Sequence, residues 1–563
     1  MPENILIAVA WPYANGPLHL GHIAGAYLPA DIFARFHRMA GNNVLMVSGS
    51  DAHGTPITLR ADREGVTPRE IHDRFHQGFL ESWQGLGISW DLFTTTETEN
   101  HYRIAQDFFT RFHENGLLYE TESSVPYSPS QNRYLPDRYI VGTCPHCDSD
   151  SARGDQCDSC GRTLDPRELV NPRSSIDGSA PEFRSRTHFM MRFSRFEDHL
   201  KEWLRDKTHW RPQVLNFTNG FLAQGLKDRA YTRDLEWGIP VPLDGWEDRR
   251  IYVWFEAVIG YLSASVQWAR EVKGDPEAWR AWWGADARPY YFIGKDNITF
   301  HTIIWPAMLM AYGEGLALPE DVPANEFLNL EGYQLSTSRN WAVWAPEYLA
   351  NYDADALRYV LSATMPETSD SEFTWPDYVR RVNTELVGTY GNLVHRTLTF
   401  LQRFFDGVVP DAEPDAAGAR LTARVAEALE EAAAHIAACR FRAGLGVAMI
   451  LAQDGNRYLD DRAPWRTIRE DRDETARTLV TILGVIAGLK TLLAPYLPFS
   501  SQRLQTMLGL SGSAQDGGWT ATTPAAGTRL PQPEALFAKL DEEQVLAREM
   551  ANLGVGADNE TRA

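Results

Sequence analysis

The sequence predicts an α/β fold: a doubly wound domain interrupted by a cysteine-rich insertion and followed by an α-helical bundle. Three observations predict it. The chain opens as strand, glycine turn, helix, strand; two C-x2-C pairs then stand in a loop-rich stretch before that alternation resumes; and beyond about residue 381 the sequence turns rich in Ala, Leu, Glu and Arg at helical spacing. With 563 residues, the chain has room for three or four domains at about 100–200 residues each.

Taken in order, Ile5 to Ala10 is a continuous apolar run that reads as a buried parallel strand, ended by the turn signals Pro12, Asn15, Gly16 and Pro17. Leu18 to Ala40 reads as a helix and Val44 to Ser48 as the next strand. Ligands of such sheets bind beyond the carboxyl ends of the strands, which gathers Tyr13, His19 and the turn Ser50-Asp51-Ala52-His53-Gly54 around one crevice. From Leu118 to about Phe217 loops, cysteine pairs and short strands are expected. Alternation then resumes with a strand at Arg250 to Phe255, a helix through Trp268 and a strand at Tyr290 to Ile293. Residues 324–381 are mixed. Leu421 to Ala437 and Ala476 to Leu493 carry helix-period apolar runs, as an antiparallel bundle requires. Residues 511–533 read as a linker rich in Gly, Ser, Thr and Pro, and 534–553 as one last helix.

Composition excludes several classes. A net charge of −21 denies the chain a broadly basic nucleic-acid surface, and its 23% charged and 44% hydrophobic residues exclude general disorder. Five cysteines exclude a disulfide scaffold. The N-terminal apolar run is too short for a membrane span and has no basic region before it, and the later run Leu479 to Leu489 is cut by Lys490. A soluble, cytoplasmic protein that binds no membrane is expected.

Three clusters carry chemistry. His19-Leu20-Gly21-His22 puts two imidazoles on one face of a helix N-terminus, where free N–H groups favour anions and Gly21 admits a flat group. Two surface histidines near a cap are the plainer reading. Cys144, Cys147, Cys157 and Cys160 form two C-x2-C pairs, whose four thiolates close a tetrahedral, structural Zn2+ site. Gly294-Lys295-Asp296-Asn297, with His301 beyond, places a basic and an acidic group at a second strand end, as a phosphate and ribose contact requires. Lone loop lysines are otherwise solvated.

Over residues 4–510 the chain resembles the methionyl-tRNA synthetase family of class I aminoacyl-tRNA synthetases. The resemblance rests on Trp11-Pro-Tyr-Ala-Asn-Gly16, His19-Leu-Gly-His22, Ser50-Asp-Ala-His-Gly-Thr-Pro56, Val253-Trp-Phe-Glu-Ala-Val-Ile-Gly-Tyr261, Phe292-Ile-Gly-Lys-Asp296, the inserted cysteine knuckle and Asn456 to Trp465. It implies a Rossmann-type catalytic domain in two halves (1–117 and 218–323). Between them lies a connective insertion with a zinc knuckle (118–217). A stem-contact region (324–381), an α-helical anticodon-binding domain (382–510) and a linker with C-terminal tail (511–563) follow. The implied activity is ATP-dependent conversion of L-methionine to methionyl-adenylate and transfer to tRNA(Met), with Mg2+ accompanying ATP and one structural Zn2+ per chain. His19, His22, Gly294, Asp296 and Thr337 would hold the nucleotide, and Lys295, Ser336, Thr337 and Ser338 would join the two histidines in catalysis. Asp51 would take the ammonium group, and Tyr13, Trp254, Ala257, Tyr261, Asn297 and His301 would line the methionine pocket. Plain core packing is the other reading of those Trp and Tyr residues. Asn392, Arg396 and Trp465 would read the anticodon, against the alternative of a buried bundle tryptophan at 465. A monomer is expected.

The sequence departs from the family at the second signature, Lys-x-Ser-Lys-Ser, which here reads Gln334-Leu-Ser-Thr-Ser338, followed by Arg339. Both lysines are gone, and no lysine lies between Asp296 and Leu489. Val258, Asn297 and Trp11 replace commoner family residues in the pocket. Residues 511–563 carry four basic and eight acidic groups, a poor grip for RNA. These departures leave two further readings: a paralogue for a methionine analogue or for inhibitor tolerance, and a non-catalytic tRNA-binding protein on the same scaffold.

Overall fold

Five parallel strands form the first sheet, in the spatial order Ala324–Asn325, Ala287–Gly294, Asn4–Val9, Asn43–Ser50, Leu92–Thr95. The computed structural model describes residues 2–154, 157, 164–337 and 340–553. Ile5 to Val9 are fully buried, as a strand covered on both faces demands. Strand order reverses beside Asn4–Val9, so a crevice opens between its carboxyl end and that of Ala287–Gly294.

The helix after the first strand starts at Leu20–His22, passes through a π-helical stretch at Ile23–Tyr27 and runs on as Leu28–Met39. Single π-turns commonly mark functional sites, and Gly25, Ala26 and Tyr27 line the crevice. Leu28–Met39 is buried on nearly all faces between the sheet and the helical bundle. Its Asp31 accepts from Arg35 (2.8 Å) and from the fully buried Arg358 (2.7 Å). Arg358 also donates to the carbonyls of Leu86, Pro495 and Tyr496, tying the catalytic domain to the last turn of the bundle. Burial pushes the Asp31 carboxyl up, but the Arg35 and Arg358 charges outweigh it and hold it at about 2.

The insertion differs from the expected short strands. Leu118–Ser128 and Glu182–Met191 pair antiparallel along their length as a long arm, and helix Pro212–Leu222 runs through the expected end of the insertion at 217. At the arm's tip, Ile140–Thr143 pairs with Ala152–Arg153 and Val170–Ser174 around a small core containing Cys144 and Cys157. Tyr139 donates to Thr58 and Asp62 (3.0 Å each) and Arg133 to Asp62 (2.9 Å). These bonds fasten the knuckle to helix Thr55–Glu64, which begins just after Asp51.

Two further expectations are corrected. Only Arg250–Ile251 is strand; Val253 already begins the helix Val253–Trp268. A short apolar run fits a buried helix as well as a strand, and here Tyr252 starts a helical turn by accepting from the Phe255 and Glu256 amides. Residues 511–533 are no free linker. Trp519 packs edge-on to Phe36, its amide donates to Met39 O and its indole to Leu429 O, so the segment straps the bundle to the first domain. The last helix begins at Glu542 rather than 534.

Helices Asn392–Phe405, Ala416–Ala437, Phe441–Arg462 and Arg472–Leu493 form the bundle. A three-residue connection makes the second and third fold back on each other. Among the described residues Arg472–Leu493 is the one helix long and apolar enough to cross a membrane, and 83% of that stretch is buried as the bundle's core.

Candidate active site

The crevice at the strand-order reversal is a cavity of about 340 Å3. At one end sits the two-histidine helix start. The Gly21 amide donates to His19 Nδ1 (3.1 Å) and the His19 amide to His22 Nδ1 (3.2 Å), a reciprocal cap in which imidazoles replace the usual Ser and Glu. The rings stack 3.8 Å apart. With both Nδ1 atoms accepting, Nε2 carries the proton on each ring. Burial holds His22 at about 4, and burial with the His22 charge lowers His19 well below the usual range. Near neutral pH both are uncharged N–H donors. The space beside Gly21 is partly filled by the Leu335 side chain, which a Cβ at 21 would meet at 2.8 Å.

At the other end Asp51 lines the cavity from the carboxyl end of the second strand. Its amide donates to Pro12 O and its carbonyl accepts from Ala14, which clips it to the loop bearing Tyr13. Burial and the neighbouring Glu256 charge push the Asp51 carboxyl well up, so an arriving cation is strongly favoured there. Tyr13, Trp254, Ala257, Val258, Tyr261 and His301 wall this end. Trp254 meets the Tyr13 ring edge-on at 5.9 Å and stacks on Phe300 at 4.5 Å. His301 Nδ1 donates to Asn297 O (2.9 Å), so its Nε2 accepts the Tyr261 hydroxyl (2.7 Å). Burial holds His301 at about 4, leaving it neutral. Trp11 fits because Gly49 and Gly260 flank its ring; a Cβ at either would lie within 2.7 Å of it.

Gly294, Asp296, Asn297, Glu326, Gln334 and Leu335 complete the wall. Three expected residues are not brought into it. Lys295 places its ammonium between Asp370 (2.7 Å) and Glu326 (2.8 Å), because two carboxylates from a neighbouring region offer it closer partners than the cavity does. Ser336 closes a tight backbone hairpin with Trp341, and Thr337 lies exposed beside it. Ser338 and Arg339 lie outside the described residues. No Lys or Arg side chain lines the cavity among the described residues.

Sequence reasoning missed a buried charge network behind Asp51. His53 Nδ1 meets Glu256 (2.8 Å) and Nε2 meets Glu97 (2.7 Å); Glu256 also meets His101 (2.6 Å). All four are buried or nearly so. A signal was present: Glu256 is an acid inside the apolar run of its helix, and His53 sits in the turn that carries Asp51.

Cys144, Cys147 and Cys157 place their sulfurs within 4.8 Å of one another, with Cys147 and Cys157 3.6 Å apart. Thiolates bound tetrahedrally to Zn2+ at about 2.3 Å stand about 3.8 Å apart, so these donors fit the ion. Cys160 lies outside the described residues. In the bundle, Asn392 and Arg396 stand one turn apart on helix Asn392–Phe405. Arg396 pairs with Asp460 (3.1 Å) and lies 5.3 Å over the Trp465 ring. Trp465 is 43% exposed and is therefore no core residue.

Comparisons with known proteins agree along the whole chain. A family model described as tRNA synthetases class I (M) matches residues 5–398, and one described as the anticodon binding domain of methionyl tRNA ligase matches 409–553. The chain is 53% identical to a methionine–tRNA ligase of Dehalococcoides mccartyi over 556 residues, covering 99% of this chain and all of that protein. It is 51% identical over 592 residues to one from Roseiflexus sp., covering 98% and 99%. A solved Mycobacterium tuberculosis methionyl-tRNA synthetase in complex with methionyl-adenylate superposes with a TM-score of 0.79 at 26% identity, covering 95% of this chain and all of the other. With the cavity, its two ends and both matched regions in register, the chain belongs to the methionyl-tRNA synthetase family of class I aminoacyl-tRNA synthetases.

Proposed function

We propose that this chain activates L-methionine with ATP and transfers the methionyl group to tRNA(Met). The observation that carries this reading is the single cavity at the sheet's switch point, with neutral N–H donors at one end and a buried carboxylate in an aromatic pocket at the other. The methionine ammonium pairs with Asp51, and its thioether lies among Tyr13, Trp254, Ala257 and Tyr261, where sulfur–aromatic contacts add about 0.3–1.5 kcal/mol. Tyr261 and neutral His301 are satisfied by each other, so that end favours an uncharged side chain. Asn297 holds His301 in place through its carbonyl.

The substrate carboxylate then attacks the α-phosphorus in line, and pyrophosphate leaves. His19 and His22 donate their Nε2 protons to phosphate oxygens from fixed positions. Gly294 leaves the nucleotide room, and Asp296 accepts from its ribose. The Ser336 and Thr337 hydroxyls serve the departing pyrophosphate from the loop. Lys295 holds Glu326 and Asp370 together at the cavity's edge and acts by positioning. Mg2+ bound with ATP supplies counter-charge for the phosphates. Asn392, Arg396 and Trp465 read the anticodon by base-edge hydrogen bonds and stacking. Cys160 completes the Zn2+ site with the three clustered cysteines.

The domain limits expected from the sequence serve as the division of labour, and the chain works as a cytoplasmic monomer without a membrane. ATP–pyrophosphate exchange with methionine and its analogues, followed by charging of tRNA(Met), tests the reading. Exchange restricted to an analogue, or tRNA binding without exchange, would replace it with a paralogue or a non-catalytic scaffold. The intact methionine pocket opposes both.

A further inference from the structure

The carboxylate we assign to the methionine ammonium has a buried charge balance built behind it. Asp51 Oδ1 accepts the His53 backbone N–H (3.1 Å), and the His53 ring lies between two carboxylates, Glu256 (2.8 Å) and Glu97 (2.7 Å). A carboxylate only accepts, so both ring nitrogens must donate and His53 is an imidazolium. Burial alone would discharge it, but the Glu256 and Glu97 partners hold it at about 10. Asp51 therefore feels one positive neighbour, His53, and one negative neighbour, Glu256, both with almost no exposure.

We propose that His53 and Glu256 are opposed positioning residues that set how readily Asp51 carries the charge needed to hold the methionine ammonium. The proposal rests on the assignment of the ammonium to Asp51. Other groups face this centre. Tyr13 from the first loop and Tyr261 from helix Val253–Trp268 approach Asp51, and both phenols are pushed well up by burial. Around His53 stand Tyr102, whose hydroxyl donates to Glu97 (2.6 Å), and His72 of helix Pro68–Leu86. Arg69 pairs with Glu97 from outside, and His101 meets the second Glu256 oxygen. His53 and Glu256 are the opposite-signed pair acting directly on Asp51.

The two residues should shift methionine binding in opposite directions. The KM for methionine is measured in ATP–pyrophosphate exchange from about pH 5.5 to 8.5, with kcat and the ATP KM. Protonation of Asp51 gives the profile an acid limb. In His53→Gln the positive neighbour is lost, and the limb moves up by about one pH unit. In Glu256→Gln the negative neighbour is lost while Glu97 keeps His53 charged, and the limb moves down by a similar amount. Turnover and ATP KM stay within about twofold in both, because neither residue reaches the phosphates. A network that only holds the fold raises KM at every pH without opposed shifts, and that result overturns the proposal. Should His53→Gln fail to fold, Glu256→Gln decides alone: a limb that stays or rises is fatal. Asp51→Asn separates the two levels. Loss of methionine affinity across the whole range leaves the ammonium assignment standing, whereas retained affinity removes that assignment itself.

Discussion

Gln334→Lys should accelerate adenylate formation, because this active site lacks a lysine where negative charge builds. Gln334 is exposed on the cavity wall, and no described Lys or Arg side chain lines that wall. Lys295, the nearest described lysine in sequence, has its ammonium matched by two carboxylates within 2.8 Å. An added ammonium about 4 Å from a phosphate oxygen gains about 4 kcal/mol per unit charge at an effective dielectric of 20, and about 1 kcal/mol in water. An exposed loop lies between those limits. Only the charge that develops between ground and transition state changes the rate, roughly half a unit. The gain is then about 0.5–2 kcal/mol, or roughly twofold to thirtyfold in the chemical step. Rapid-quench measurement of a single turnover at saturating ATP and methionine reads that step, and the Kd for ATP should change by less than about twofold. Gln334→Met controls for length without charge and should give no gain. An unchanged or slower step in Gln334→Lys would refute the reasoning and show that the loop is built around another group.

The knuckle and the methionine pocket should fail together. Cys157→Ser should abolish the Zn2+ found by metal analysis and expose the insertion to proteolysis. It should raise the methionine KM through helix Thr55–Glu64, to which Tyr139 and Arg133 bind; intact protein without zinc would sink the assignment. Trp465→Ala should weaken tRNA charging by about fivefold to a hundredfold and spare pyrophosphate exchange, since stacking is worth about 1–3 kcal/mol per base. Equal damage to both reactions would contradict it. Arg358→Leu should cost about 3–5 kcal/mol in unfolding experiments, because it strips a buried carboxylate of its partner; a loss under 1 kcal/mol (about the worth of an exposed pair) would show that the bridge is idle. Asp31 titrates lower in the folded chain, near 2, than its unfolded value of about 3.9. Its roughly 2–3 kcal/mol is fully present above pH 4 and lost as pH falls through 2. Acid denaturation of Arg358→Leu should accordingly begin at higher pH.

What the sequence by itself determined was whatever depends on near neighbours in the chain. The strand at Asn4–Val9 followed from an apolar run ended by Pro12, Asn15, Gly16 and Pro17. The placement of His19 and His22 at a helix start followed from three-residue spacing, and the gathering of cysteine sulfurs from two C-x2-C turns. The bundle helices followed from periodicity. Tertiary structure alone decided whatever depends on partners far along the chain. Lys295 turned from phosphate contact to latch because Asp370 and Glu326 fold beside it. The segment 511–533 became a strap because Phe36, Met39 and Leu429 receive Trp519. Residues 253–255 became helix instead of strand, since burial is equally open to either form. Most of all, the charge state at Asp51 is set by Glu97 and Glu256, which lie 44 and 203 positions from His53. Local spacing records which groups a turn presents together, but a buried charge is governed by what surrounds it in space. That surrounding exists only once the sheet and its helices have closed.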